Sequence, residues 1–305
     1  MNLLEFIREL ECWMKRVCYF NVGYSCNNAC VYCFSYSTGL QRKDLSFDDF
    51  KEVLSIFKPT ENDKVVINGG EPSIHPYFYD MLDYIDQEYN TNIVVYSNGV
   101  RVDVRKISHV KNIQFVIPIH GDAEIHDAIT RQKGSFESTL KTLRSFQAES
   151  IGFSIKFIAN KNMIDSGFDI SSFLKKNHLA PSSTYIARLN ATKKSRENNV
   201  QYPTLRELKN FVFFSHESLY VNNKIVYLDL PFCLLPDLTI KNPMPEIPPF
   251  FFTDYKKKLD DCLYYKQLML RKDKCENCYR RDLCSVMQKS YLTLIYDKEW
   301  YLDLE

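Results

Sequence analysis

The chain has 305 residues, 45% hydrophobic and 25% charged, enough to bury one large core, or a large core beside a small one. Its 39 basic and 38 acidic residues leave a formal charge of +1, which argues against nucleic-acid or membrane partners held by a strong field. No apolar run approaches a membrane span, and Glu5, Arg8, Glu9 and Glu11 break up any signal-peptide core. The expectation is a cytoplasmic protein whose ten cysteines are metal ligands or buried thiols rather than disulfides.

In chain order, short apolar runs alternate with longer amphipathic ones, the pattern of βα units around a parallel sheet. Strands are expected at residues 17–23, 64–68, 92–96, 112–119, 152–158 and 184–189, with helices at 46–57, 77–88, 135–147 and 170–177. Ser46 is placed to cap the first of these helices, with Asp49 at capping-box spacing. Six βα repeats fall short of a closed eight-fold barrel, so the fold class is α/β, a partial (β/α)6 barrel. Its working rim lies at the C-terminal ends of the strands. Past residue 190 the pattern changes: a polar stretch at 192–201, a helix at 204–214, a hairpin at 219–221 and 224–230, and a proline-rich extended loop at 242–252. The division expected is residues 1–195 for the barrel and 196–305 for a smaller α+β domain that carries an auxiliary cluster.

The chemistry-bearing residues gather after the strands. Cys26, Cys30 and Cys33 follow the first strand in the spacing C-x3-C-x2-C. Three thiolates on one loop can hold three irons of a cubane and leave the fourth iron open, whereas closed zinc and ferredoxin sites take four protein ligands. Part of a zinc site, or three unrelated cysteines, is the plainer alternative. After the second strand comes Gly69-Gly70-Glu71-Pro72, after the third Ser97-Asn98-Gly99, and after the fourth His120-Gly121. The glycine pair permits close backbone approach to a ligand, or is simply a turn. Asn-Gly is itself a common turn pair.

Taken together, these segments resemble the radical S-adenosylmethionine enzymes, over about residues 16 to 190. The cysteine loop is similar to that family's C-x3-C-x-aromatic-C motif, with Tyr32 at the aromatic position, and residues 69–72 to its Gly-Gly-Glu-Pro motif. The stretch His126-Asp127, Thr130-Arg131, Gly134-Ser135-Phe136 is similar to its peptide- and protein-modifying members. The resemblance implies a 4Fe–4S cluster on Cys26, Cys30 and Cys33, whose open iron is chelated by S-adenosylmethionine. It further implies that Gly69, Gly70 and Glu71 meet the methionyl ammonium, that Tyr32 lies beside the adenine, and that Ser97 and Asn98 bond the ribose or carboxylate. Arg188, at the end of the sixth strand, is a candidate partner for that carboxylate, or else a solvated strand-end arginine. The implied reaction is one-electron cleavage to methionine and a 5′-deoxyadenosyl radical, which abstracts hydrogen from an unactivated carbon. No acid or base for a later step is identifiable.

A second set, Cys275, Cys278 and Cys284, has metal-binding spacing, with Cys233 or Cys262 as a further ligand. A four-thiolate zinc site shares that spacing. The region resembles the auxiliary-cluster extensions called SPASM or twitch. Gln288 stands where their run has another cysteine, which implies one auxiliary 4Fe–4S cluster instead of two. Cys12 and Cys18 read as buried thiols, and His120 as a rim residue within reach of cofactor or substrate. The leading expectation is hydrogen abstraction from a peptide or protein, with crosslinking in a ribosomal peptide as the type of outcome. An electron donor such as flavodoxin or ferredoxin completes the partners. The alternative is radical oxidation or rearrangement of a small molecule such as a sugar, nucleoside or amino-acid derivative. An electron carrier or metal-binding regulator, a reading from another class, leaves residues 69–72 unexplained.

Overall fold

The computed structural model describes residues 17–33, 44–190, 192–219, 224–228, 230, 234–236 and 250–252. The strands are β1 (Val17–Asn21), β2 (Lys64–Asn68), β3 (Asn92–Tyr96), β4 (Ile113–Ile119), β5 (Gly152–Ala159), β6 (Ser183–Arg188), β7 (Ile225–Leu228) and β8 (Phe250–Phe252). They form one eight-stranded sheet in the order β7-β6-β5-β4-β3-β2-β1-β8. Every neighbouring pair is parallel, so the C-terminal ends of all the strands share one rim.

The helices are α1 (Phe47–Phe57), α2 (Phe78–Glu88), α3 (Ala123–Thr130), α4 (Ser135–Ala148), α5 (Lys161–Asp165), α6 (Ile170–Lys176), α7 (Lys193–Glu197) and α8 (Leu205–Leu219). This is the α/β partial barrel that the sequence implies. Both faces of the sheet are covered, which is why Val65-Val66-Ile67 and Phe115-Val116-Ile117 are buried consecutively instead of alternating. Aromatic rings join sheet to helices: Phe20 meets Phe50 of α1 and Phe115 meets Phe146 of α4, each with centroids 4.5 Å apart. A second, smaller cluster of Tyr32, Ile129 and Leu189 packs separately from the main core.

Local signals explain the helix starts. Ser46 caps α1, its hydroxyl accepting the Asp49 N–H at 3.1 Å. Asp122, Asn160 and Asp169 cap α3, α5 and α6 in the same way. Three expectations are corrected beyond the sixth strand. The helix expected at 204–214 continues to Leu219, which therefore lies in a helix and not in the first arm of a hairpin, while residues 220 and 221 lie outside the described residues. Residues 225–228 pair in parallel with β6, Thr184 opposite Ile225, and not with a sequence neighbour. Within the expected extended loop at 242–252, Phe250–Phe252 adds to the sheet beside β1. The polar stretch at 192–201 holds α7, with a capping box between Thr192 and Ser195.

Candidate functional site

The cysteine loop leaves the end of β1 and is held at the rim by two groups of contacts. Its first half is tied to β2: Gly70 N–H donates to Gly23 O at 2.8 Å and Glu71 N–H to Ser25 O at 2.9 Å. Its second half is tied to the C-terminal end of α3, where Thr130 O and Ile129 O accept from Ala29 and Val31 N–H, both at 2.9 Å. Asn198, just past α7, donates from Nδ2 to Val31 O at 3.0 Å. Cys26 is exposed, and Cys30 and Cys33 are half-buried.

The glycine pair is required by this stitching. A Cβ on Gly70 would lie 2.3 Å from Ser25 O and 2.5 Å from Tyr24 O, and one on Gly69 would lie 2.6 Å from Gly23 O. Both glycines therefore let the end of β2 close on the base of the loop.

Glu71 is 2% exposed and its carboxylate is fully engaged. Oε1 accepts from Ser73 N–H at 3.0 Å and from the Ser97 hydroxyl at 2.7 Å, and Oε2 from Asn98 N–H at 2.6 Å. Burial pushes its carboxyl up from the usual range, while these donors pull it back. Glu71 thus braces the end of β2 against the end of β3. Asn98 in turn donates to Asn27 Oδ1 at 2.7 Å and reaches Cys26 Sγ at 3.8 Å, so the third strand's motif touches the loop directly.

Tyr32 turns inward. Its hydroxyl is 2.7 Å from His120 Nδ1 and its ring stands edge-on to the imidazole, centroids 5.5 Å apart. The ring packs with Ile129 and Leu189. Arg188 is 3% exposed and donates from Nη2 to Asn190 Oδ1 at 3.3 Å, so it is a buried rim cation and not a solvated one. The structure therefore brings Cys26, Cys30, Cys33, Tyr32, Gly69, Gly70, Glu71, Ser97 and Asn98 together in one connected network. Cys233, Cys262, Cys275, Cys278 and Cys284 lie outside the described residues.

Sequence reasoning missed the asparagines. Asn27 Nδ2 and Asn28 Oδ1, inside the C-x3-C turn, and Asn21 Oδ1, at the end of β1, are buried without a hydrogen-bond partner among the described residues. Amide side chains filling a ligand loop were the available signal. It also left the stretch from His126 to Phe136 without a structural role. Asp127 organises the α3–α4 turn by accepting from Gly134 N–H, Ser135 Oγ and Phe136 N–H at 2.6, 2.9 and 2.9 Å, which sets the α3 carbonyls that carry the loop.

The donor set fits an iron–sulfur cluster. Burial foremost, then the neighbouring Cys33 and Cys26, pushes the Cys30 thiol up to about 12, and burial likewise raises Cys26. Thiols that oppose one another's ionisation favour a cationic centre that draws off their protons. The unpaired Asn27 and Asn28 groups add a donor and an acceptor beside it. A cubane takes one thiolate per iron, and the loop offers three thiols.

Residues 20–158, which hold the three-cysteine loop and Gly-Gly-Glu-Pro, match the Radical SAM superfamily model. Among individual relatives, the mycofactocin maturase MftC of Mycolicibacterium smegmatis is 30% identical over 126 residues, 40% of this chain and 32% of that protein. The subtilosin biosynthesis protein AlbA of Bacillus subtilis is 25% identical over 150 residues, 47% of this chain and 33% of that one. The chain therefore spans about a third of the length of these curated relatives. In fold it is similar to Streptococcus suis SuiB bound to its precursor peptide SuiA, with a TM-score of 0.67 and 14% identity over 95% of this chain and 76% of that one. No helix among the described residues is long and apolar enough to cross a membrane.

Proposed function

We propose that this chain is a radical S-adenosylmethionine enzyme that abstracts hydrogen from a peptide or protein, in the cytoplasm, as a maturase of ribosomally made peptides. The observation that carries the chemistry is the cysteine loop held at the strand rim with Asn98 against Cys26. The peptide substrate is supported by two relatives, one named as a mycofactocin maturase and one for bacteriocin biosynthesis, and by the similar fold of a protein bound to a precursor peptide.

Cys26, Cys30 and Cys33 would hold a 4Fe–4S cluster, and when bound it supplies the electron that splits S-adenosylmethionine to a 5′-deoxyadenosyl radical. The chain's own part is binding and orientation. The carbonyls of Gly69 and Gly70 are the acceptors we assign to the methionyl ammonium. Glu71, whose oxygens already hold Ser73, Ser97 and Asn98, sets the rim's shape. Arg188 supplies the buried positive charge that a carboxylate would meet.

Residues 196–305 are proposed to carry one auxiliary 4Fe–4S cluster on Cys275, Cys278 and Cys284 with Cys233 or Cys262. A flavodoxin or ferredoxin is proposed as electron donor. Anaerobic reconstitution, S-adenosylmethionine and dithionite should yield 5′-deoxyadenosine, and the triple Cys26→Ala, Cys30→Ala, Cys33→Ala variant should yield none. A wild-type chain with intact clusters that leaves S-adenosylmethionine uncleaved removes this reading. Iron near eight atoms per chain supports the auxiliary cluster, and iron near four with one zinc replaces it, at about four irons per cubane.

A further inference from the structure

One buried polar contact has no part in the chemistry described so far. Tyr32, between Cys30 and Cys33, does not leave its hydroxyl in solvent or beside the rim opening; it sends it 2.7 Å from Nδ1 of His120, at the end of β4. Both residues are buried, at 7% and 4% exposure. At this distance the phenol O–H can donate to Nδ1 of an imidazole whose proton sits on Nε2.

His120 is itself fixed on two further sides. Asn160, the cap of α5, donates from Nδ2 to His120 O at 2.8 Å, and the His120 N–H points to His126 Nδ1 of α3 at 3.4 Å. The imidazole stands 5.1 Å from that of His126, which in turn meets Phe136 of α4 edge-on. An otherwise apolar strand end is thus built around one acceptor nitrogen, and that nitrogen faces the cysteine loop. Other anchors of this half of the loop, the two α3 carbonyls and Asn198, grip its backbone. The His120 contact grips a side chain.

We propose that His120 is a positioning residue for the cysteine loop: by accepting the Tyr32 hydroxyl it clamps the segment between Cys30 and Cys33 to the end of β4 and fixes the placement of those two thiols. What the loop holds rests on the radical S-adenosylmethionine reading; the clamp belongs to the protein with or without a cluster. Because losing either partner leaves the other buried and unsatisfied, either loss should open the loop by a similar factor.

The test uses the full chain with His120→Leu, Tyr32→Phe, the double variant, and His120→Asn, whose Oδ1 can sit where Nδ1 does. In cluster-free protein, exchange of the Ala29 and Val31 amides should speed by about tenfold in each single variant, with no further gain in the double variant, and return toward wild type in His120→Asn. In anaerobically reconstituted protein the same ranking should appear in the rate of iron loss to a chelator and in the electron paramagnetic resonance line shape of the reduced cluster with S-adenosylmethionine. Wild-type exchange in either single variant, additive effects in the double variant, or no recovery with asparagine overturns the clamp. A wild-type chain that takes up no cluster overturns the functional reading instead, and the exchange measurement still decides the clamp.

Discussion

Glu71 shows how much of a motif residue's work can be structural. A carboxylate accepting three hydrogen bonds inside the rim is a structural brace between β2 and β3. Glu71→Gln keeps the shape but faces an amide NH2 against one of those donors, most simply the Asn98 N–H at 2.6 Å. The variant should lose roughly 1–3 kcal/mol of stability, read by urea unfolding, because a buried donor is left opposed. An unchanged unfolding midpoint would show that the brace is not needed. Gly70 makes the complementary case, since a methyl group there would overlap the Tyr24 and Ser25 carbonyls. Backbone atoms cannot swing aside as a side-chain tip can, so Gly70→Ala should displace the loop base and cost about 1–3 kcal/mol, with a fall in iron uptake on reconstitution. Retention of wild-type iron and stability would contradict the close approach. At this scale the sequence placed these residues at one rim without the contacts that hold them there. Spacing placed Cys26, Cys30, Cys33, Glu71 and Asn98 at one rim. It carried no sign of which way Tyr32 points, because that depends on His120, 88 positions away.

Among elements, legibility followed burial. Strands β2 to β6 are apolar runs because helices and the barrel interior cover both faces, and each was readable. Helix α1 was readable from its cap and from Phe50, Leu54 and Phe57 on one face. Helix α3 was not, since its buried face includes His126 and Thr130 together with Ile129, and polar residues give no apolar period. That substitution of polar for apolar burial has a titration consequence. Burial depresses the His126 imidazole from 6.5 to about 4. Between those values the unfolded chain binds a proton that the folded one refuses, so stability is full above about pH 6.5 and falls as the pH drops toward 4. At about 1.36 kcal/mol per unit the loss reaches roughly 3 kcal/mol. His126→Gln should flatten this part of the curve in urea unfolding measured from pH 7 to pH 4. An identical slope in variant and wild type would show that His126 does not titrate as a buried base.

At the scale of the molecule, the sheet does not stop where the sequence pattern changes. Both edge strands, β7 and β8, come from beyond residue 196, and so does α8. This was hidden from local reading because β7 pairs with β6 across two intervening helices, and no turn signal marks a parallel partner. The energetic weight of the addition can be judged from α8, which packs on α6 and buries Leu208, Phe211, Val212 and Leu219. At about 1.5–3 kcal/mol for each large apolar side chain, those four residues contribute roughly 6–12 kcal/mol. A whole domain has only about 5–15 kcal/mol in hand. Removing them also strips the β6 edge of its partner and exposes a row of unpaired backbone groups. A fragment ending at residue 195 should therefore fail to fold alone, appearing as aggregate on size-exclusion chromatography and without near-ultraviolet dichroism. The barrel would then need residues from both sides of the compositional boundary before it could present its cysteine loop. A soluble, monodisperse fragment with native dichroism would mean instead that the first six strands are sufficient, and that the later strands serve whatever the C-terminal cysteines hold.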